Sequence, residues 1–107
     1  MYKAGDKIRI KTWRELEEEF EITSYPLIDS IAANLPDGFA FSKGQDEKVS
    51  ERCKNRTDII EKVDKERGWY YLKNSKTIVT KYVIKGTKSS IKNVTDKIND
   101  RFEILDL

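Results

Sequence analysis

An α+β fold, a small β-barrel of about five strands with helical insertions, is predicted by three features of this 107-residue chain. The opening run Lys7-Ile8-Arg9-Ile10-Lys11 alternates charged and aliphatic residues with period two. That is a short strand with Ile8 and Ile10 on one face and three cations on the other. The final residues, Phe102-Glu103-Ile104-Leu105-Asp106-Leu107, read as another strand, so a barrel closed by its own ends is expected. Between them, an aromatic strand sits in a meander of β segments separated by turns.

Each element follows from local chemistry. Gly5-Asp6 is a turn signal ahead of the first strand. Thr12-Trp13-Arg14-Glu15 fits a capping box and opens a helix over 12–21, with Trp13, Leu16 and Phe20 along one stripe. Pro26 suits a first helical turn, and Ile28, Ile31 and Leu35 are spaced by three and four. A short helix is therefore predicted over 26–34, ended by Pro36-Asp37-Gly38. Phe39-Ala40-Phe41 reads as a short strand. Ser42 to Arg56 is polar apart from Val49 and Cys53, and is read as one or two helical turns or as a mobile loop.

Thr57 to Val63 is a predicted strand, Asp64 to Gly68 a charged turn, and Trp69-Tyr70-Tyr71-Leu72 the partner strand of a hairpin. Asn74-Ser75 makes a further turn. Thr77 to Ile84 is rich in β-branched residues and reads as a third strand, closed by Gly86. Ile91, Val94 and Ile98 give a helical stripe over 87–99 ahead of the final strand at 102–107. No internal repeat or low-complexity linker is visible.

The length fits one domain with one modest core. Hydrophobic and charged residues each make up 37% of the chain, so the surface is dense in ions of both signs. No run approaches the roughly 18 apolar residues of a membrane span. No secretory leader is visible, and Cys53 is the only cysteine, so no internal disulfide forms and a cytoplasmic chain is expected. The net charge is +2, but residues 69–101 hold 8 cations against 2 anions. One third of the chain thus carries nearly all the positive excess.

Three stretches carry a resemblance: Gly5-Asp6-Lys7-Ile8-Arg9-Ile10-Lys11-Thr12-Trp13 continuing to Glu19-Phe20, then Ile59-Ile60-Glu61-Lys62-Val63 with Tyr70-Tyr71-Leu72, and the closing Ile104-Leu105. Together they resemble a group of small SH3-like β-barrel proteins of phages and bacteria, mostly without an assigned role. The resemblance implies a single SH3-like domain over 1–107, with insertions at 24–56 and 85–100. Insertions of that kind are where a private function would sit.

The chain has no histidine, which removes the commonest general base, the Ser-His and Cys-His nucleophile pairs and imidazole zinc sets. Its five glycines are scattered and form no phosphate loop. No metal site and no cofactor is expected. Glu15, Glu17, Glu18 and Glu21 make a solvated acidic face. Cys53 lies near Arg52, Lys54 and Arg56, cations that would depress a thiol pKa. A small residue half-buried under a loop is the plainer reading.

Trp69 and Tyr71 point to one face of their strand and Tyr70 to the other, with one of the two faces in the core. The run Lys73, Lys76, Lys81, Lys85, Lys88, Lys92 contains no acid. Trp69, Tyr70 and these lysines are the predicted partner-binding residues. With the acidic helix on the opposite side, they would give a dipolar surface suited to electrostatically steered association with a protein. The expected function is a non-enzymatic protein-binding module. The resemblance adds that it would be a phage-encoded accessory factor or inhibitor acting on a host or defence protein. The alternative is a nucleic-acid-binding protein using the basic, aromatic segment 69–92, with cations for phosphate and rings for bases. An enzyme using carboxylates or the lone thiolate is the third reading.

Overall fold

The computed structural model describes residues 2–87. The period-two run forms β1 (Lys7–Ile10) with Ile8 and Ile10 buried. Thr12 then caps α1 (Trp13–Glu19). Its hydroxyl accepts from the Glu15 amide at 3.1 Å, and the Glu15 carboxylate takes the Thr12 amide at 2.9 Å, the reciprocal box read in the sequence. Trp13 and Leu16 are buried, and Phe20, half-buried, meets Tyr82 edge-on at 6.3 Å.

The chain next departs from the expected helix at 26–34. β2 (Glu21–Tyr25) and β3 (Ser30–Asn34) form an antiparallel hairpin, pairing Ile22 with Ala33 and Ser24 with Ile31. A single 3₁₀ turn, Pro26–Ile28, joins them, and Asp29 turns the corner at φ 49°. The three-four spacing of Ile28, Ile31 and Leu35 competes with a period-two set, Ile31, Ala33 and Leu35, and pairing with β2 selects the latter. β4 (Ala40–Ser42) adds to β3 and completes a three-stranded sheet ordered β2-β3-β4.

The segment left between helix and loop is α2 (Lys43–Arg52). It opens on a second capping box: the Gln45 amide donates to Ser42 Oγ at 3.1 Å, and the Gln45 side chain accepts the Ser42 amide at 3.0 Å. The predicted hairpin is present as β5 (Thr57–Asp64) and β6 (Trp69–Leu72). The third strand is shorter than predicted. β7 (Ile78–Val79) stops at a turn where the Val83 amide donates to Thr80 O, and β8 (Ile84–Thr87) follows, with Gly86 inside it rather than closing it.

These strands make a second antiparallel sheet, ordered β7-β6-β5-β1-β8. The described residues thus hold eight strands in two antiparallel sheets, with two α-helices. The five-stranded sheet is open among these residues, so the expected barrel closure is not seen. Both hydrogen-bonding edges of β1 are taken, one by Thr57–Ile59 and the other by Ile84–Thr87. β8 therefore holds the place beside β1 that was expected for the closing segment. The helix expected over 87–99 and the strand over 102–107 lie outside the described residues.

One core joins both sheets and both helices: Ile8, Leu16, Ala33, Phe41, Val49, Ile60, Leu72 and Val79 belong to it. Each fully buried aliphatic or aromatic side chain contributes about 1.5–3 kcal/mol. Phe41→Ala should therefore lower stability by about 3–5 kcal/mol. Ser42→Ala should cost about 1 kcal/mol through its lost cap. Both are read from urea unfolding followed by circular dichroism.

Candidate functional site

The predicted partner-binding residues do not gather on one surface. Tyr70 faces the core, 7% exposed, with its ring edge-on to Tyr2 at 5.7 Å. It pairs with Val63 across the hairpin, so alternation sends it inward and Trp69 and Tyr71 outward. Trp69 meets Phe39 at 6.0 Å and carries the Arg67 guanidinium 5.1 Å from its ring centre. Tyr71 has Lys62 Nζ at 5.6 Å.

The lysines are also dispersed. Lys73 ends β6, while Lys85 lies on β8, and β5 and β1 intervene in the sheet order. Lys76 is exposed in a turn at φ 60°, and Lys81 Nζ rests 5.3 Å from the Tyr82 ring centre. Lys88 and Lys92 lie outside the described residues.

The acidic helix and the lysine-rich segment do not sit on opposite sides. Lys85 Nζ donates to Glu15 Oε2 at 2.8 Å and joins them. That bond, together with the Thr12 amide, holds the Glu15 carboxyl at about 2. Glu17 and Glu18 are exposed on α1, and Glu21 is the first residue of β2 rather than part of the helix.

The chemically reactive groups are engaged internally. Asp58 is 1% exposed. Its carboxylate accepts the amides of Ile59 at 2.7 Å, Asn74 at 2.9 Å and Ser75 at 2.9 Å, and the Cys53 thiol at 3.3 Å. Burial raises the Asp58 pKa, but the three amides outweigh it and hold the carboxyl below its ordinary range.

Cys53 moves the other way. Burial first, then the bond to the Asp58 carboxylate, push its pKa to about 12. The charge of Arg56 does lower it but is outweighed, and the plainer reading of a small buried residue fits. Arg52 donates instead to Ser75 O at 3.1 Å, and Arg56 to Asp46, Ile10 O and Lys11 O. Among the described residues no cluster of three or more histidine, cysteine or carboxylate groups is placed to hold a metal ion, and no helix is long and apolar enough to cross a membrane.

Two surfaces stand out that the sequence reading did not single out. The first is the apex of the β2–β3 hairpin. Leu27 is fully exposed, Ile28 is 73% exposed and Tyr25 40% exposed. A groove of about 640 Å³ runs from this apex to the start of α2, between Pro26, Ile28 and Ile31 on one side and Lys43 and Glu47 on the other. No cation occurs between Arg14 and Lys43, whereas Glu17, Glu18, Glu21 and Asp29 flank the hairpin in sequence. An apolar run with no cation between two helix-length charged segments was the legible signal, but Pro26 directed it to a helix.

The second surface is basic. A groove of about 520 Å³ is lined by Lys7, Arg52, Lys54, Asn55, Thr57 and Asn74, among others. Asn55 and Arg56, at its corner, both have φ of 54°. Its residues come from β1, the end of α2, β5 and the turn after β6, so no local pattern announces it.

Two outcomes follow for the internal network. Cys53 should resist iodoacetamide at pH 8 in the native protein and react once urea unfolds it, as mass spectrometry would show. Asp58, depressed in the fold, gives stability that is present above the unfolded value of about 4 and lost as pH falls through the lower folded value. Urea midpoints should therefore drop between pH 6 and pH 3, and Asp58→Asn should cost about 1–3 kcal/mol at pH 7 and flatten that dependence. Compared with known proteins, the chain matches no family model, no curated protein and no solved structure.

Proposed function

We propose that this protein is a non-enzymatic binding module that seats the apex of its β2–β3 hairpin in an apolar pocket of a protein partner. Leu27 carries this reading. Turn apices are normally built from Gly, Asn, Asp and Ser, which water solvates. Here the apex is Pro26-Leu27-Ile28, with Leu27 wholly exposed beside Ile28 and Tyr25. Burying Leu27 and Ile28 in a partner would contribute about 1.5–3 kcal/mol each. The hairpin itself does not need them, since its inward residues are Ala33, Leu35 and the half-buried Ile22 and Ile31.

Asp29 at the apex, in a hairpin without a cation, defines the partner's chemistry: an apolar pocket with lysine or arginine at its rim. The absence of histidine and the internal engagement of Cys53 and Asp58 support a role without catalysis. The reading extends to architecture and setting. The five-stranded sheet would be the body of an SH3-like barrel, and the hairpin and α2 its working insertion. The adjacency of β1 and β8, the outermost strands of that sheet in sequence, supports this. A phage-encoded accessory factor or inhibitor acting in the cytoplasm on a host or defence protein is the biological form of the same proposal.

The test uses immobilised wild-type protein and the Leu27→Asp/Ile28→Asp variant in bacterial lysate, with mass spectrometry of what each retains. A protein held by the wild type and lost by the variant is then purified and titrated. The variant should unfold at the same urea concentration as the wild type and bind about 30-fold or more weaker. Equal affinity of the two for that protein overturns the proposal, as does retention of no protein by the wild type.

A further inference from the structure

The outer face of the five-stranded sheet collects cations that the fold itself does not use. Lys7 pairs with Ile59, and the Lys73 amide donates to Ile59 O at 2.9 Å, so Lys7, Ile59 and Lys73 form one row across β1, β5 and the end of β6. Arg9 pairs with Thr57 on one side and Gly86 on the other, in the next row. With strands about 4.8 Å apart and residues rising about 3.4 Å each, these three cations span a patch of about 10 by 7 Å. Lys54 stands at its rim, on the corner turned by Asn55 and Arg56.

Among the described residues Lys7, Lys54 and Lys73 make no ion pair. Arg9 Nε is buried and finds no acceptor there. An unpaired buried guanidinium nitrogen is costly unless an anion completes it. Two successive non-glycine residues, Asn55 and Arg56, are held at positive φ at the same corner.

The acids near this face are already committed or set apart. Both Asp58 oxygens are taken by the three amides and the thiol, and Asp64 pairs with Arg67 at 3.1 Å. Glu61 is exposed at the bulge between Ile60 and Lys62. Asn55 and Asn74 add side-chain amides to the groove.

We infer that this face binds the phosphodiester backbone of a nucleic acid, with Lys7, Arg9, Lys54 and Lys73 as phosphate contacts. Shallow, open point cations spaced by the strand repeat suit a regular series of singly charged phosphates. Arg52 and Arg56 already donate to the chain itself, so Arg9 is the guanidinium this face offers an anion, beside lysines that act as point charges. No aromatic ring lines the groove. The contacts named here are to the backbone, which carries no sequence information. This site shares only Lys73 with segment 69–92, where the lysine run placed it in the sequence. It is also independent of the hairpin apex.

Fluorescence anisotropy of a labelled single strand, and of the matching duplex, tests the inference over a series of salt concentrations. At least one of the two should bind, with log K falling against log salt at a slope of about −3 to −4. Lys7→Gln/Lys73→Gln, two exposed changes, should weaken binding ~10-fold at low salt and reduce the slope by about 1–2. Arg9→Lys, which keeps the charge, should weaken it less. Leu27→Asp/Ile28→Asp should bind as the wild type does, which keeps failure at this face distinct from failure at the hairpin. The inference is overturned if neither nucleic acid binds, if Lys7→Gln/Lys73→Gln leaves affinity and slope unchanged, or if polyglutamate competes as well as the nucleic acid.

Discussion

The Asp58 carboxylate holds together three parts of the chain: β5, the turn after β6 and the end of α2. It sits in β5, where it pairs with Ile8 of the first strand. It binds the amides of Asn74 and Ser75, which fixes the turn between β6 and β7, and it accepts the thiol of Cys53, which fixes the end of α2. A buried carboxylate is tolerated only when its lone pairs are filled, and here four donors fill them. The Ser75 hydroxyl continues the network to Thr77 at 2.8 Å, and Arg52 reaches Ser75 O from α2. The end of α2 is thus tied to the sheet at the residue that also fixes the turn between β6 and β7.

A second clamp acts from the other end. Arg56 donates to the carbonyls of Ile10 and Lys11 at the exit of β1 and pairs with Asp46 on α2. Gln45, beyond its capping role, donates to Ile78 O on the edge strand β7 at 3.0 Å. These bonds are directional, unlike the apolar contacts of Phe41 and Val49. Apolar burial supplies the stability and the polar clamps fix the angle at which the three-stranded sheet stands on the larger one. The hairpin thus stands on a support held by these bonds.

Charge is segregated in space more than the small net value suggests. The hairpin insertion carries acids and an apolar tip, whereas the outer face of the five-stranded sheet carries unpaired cations. Where the two signs meet, at Lys85–Glu15 and Lys11–Glu19, they neutralise each other as ion pairs. Exposed pairs of this kind add about 0–1 kcal/mol each and serve mainly to separate the two fields.

The amino-acid sequence by itself determined the elements whose signals are local. Alternation wrote β1, the Thr12–Glu15 box wrote α1, and turn residues with aromatic and β-branched runs wrote β5 and β6. The Ser42–Gln45 box was as legible, but its helix has almost no apolar stripe to confirm it. Tertiary structure decided the rest. Residues 26–34 carry both a helical and a strand period, and pairing with β2 chose between them. Which way Tyr70 faces depended on register with β5, and Lys85 met Glu15 because β8 pairs with β1, 70 residues away in the chain from Glu15. The basic face joins Lys7 and Lys73 through strand order, and Lys54 through the turn that leads from α2 into β5. Local chemistry fixes what each segment becomes, but which side chains share a surface is set by long-range pairing, and no window of neighbouring residues contains that information.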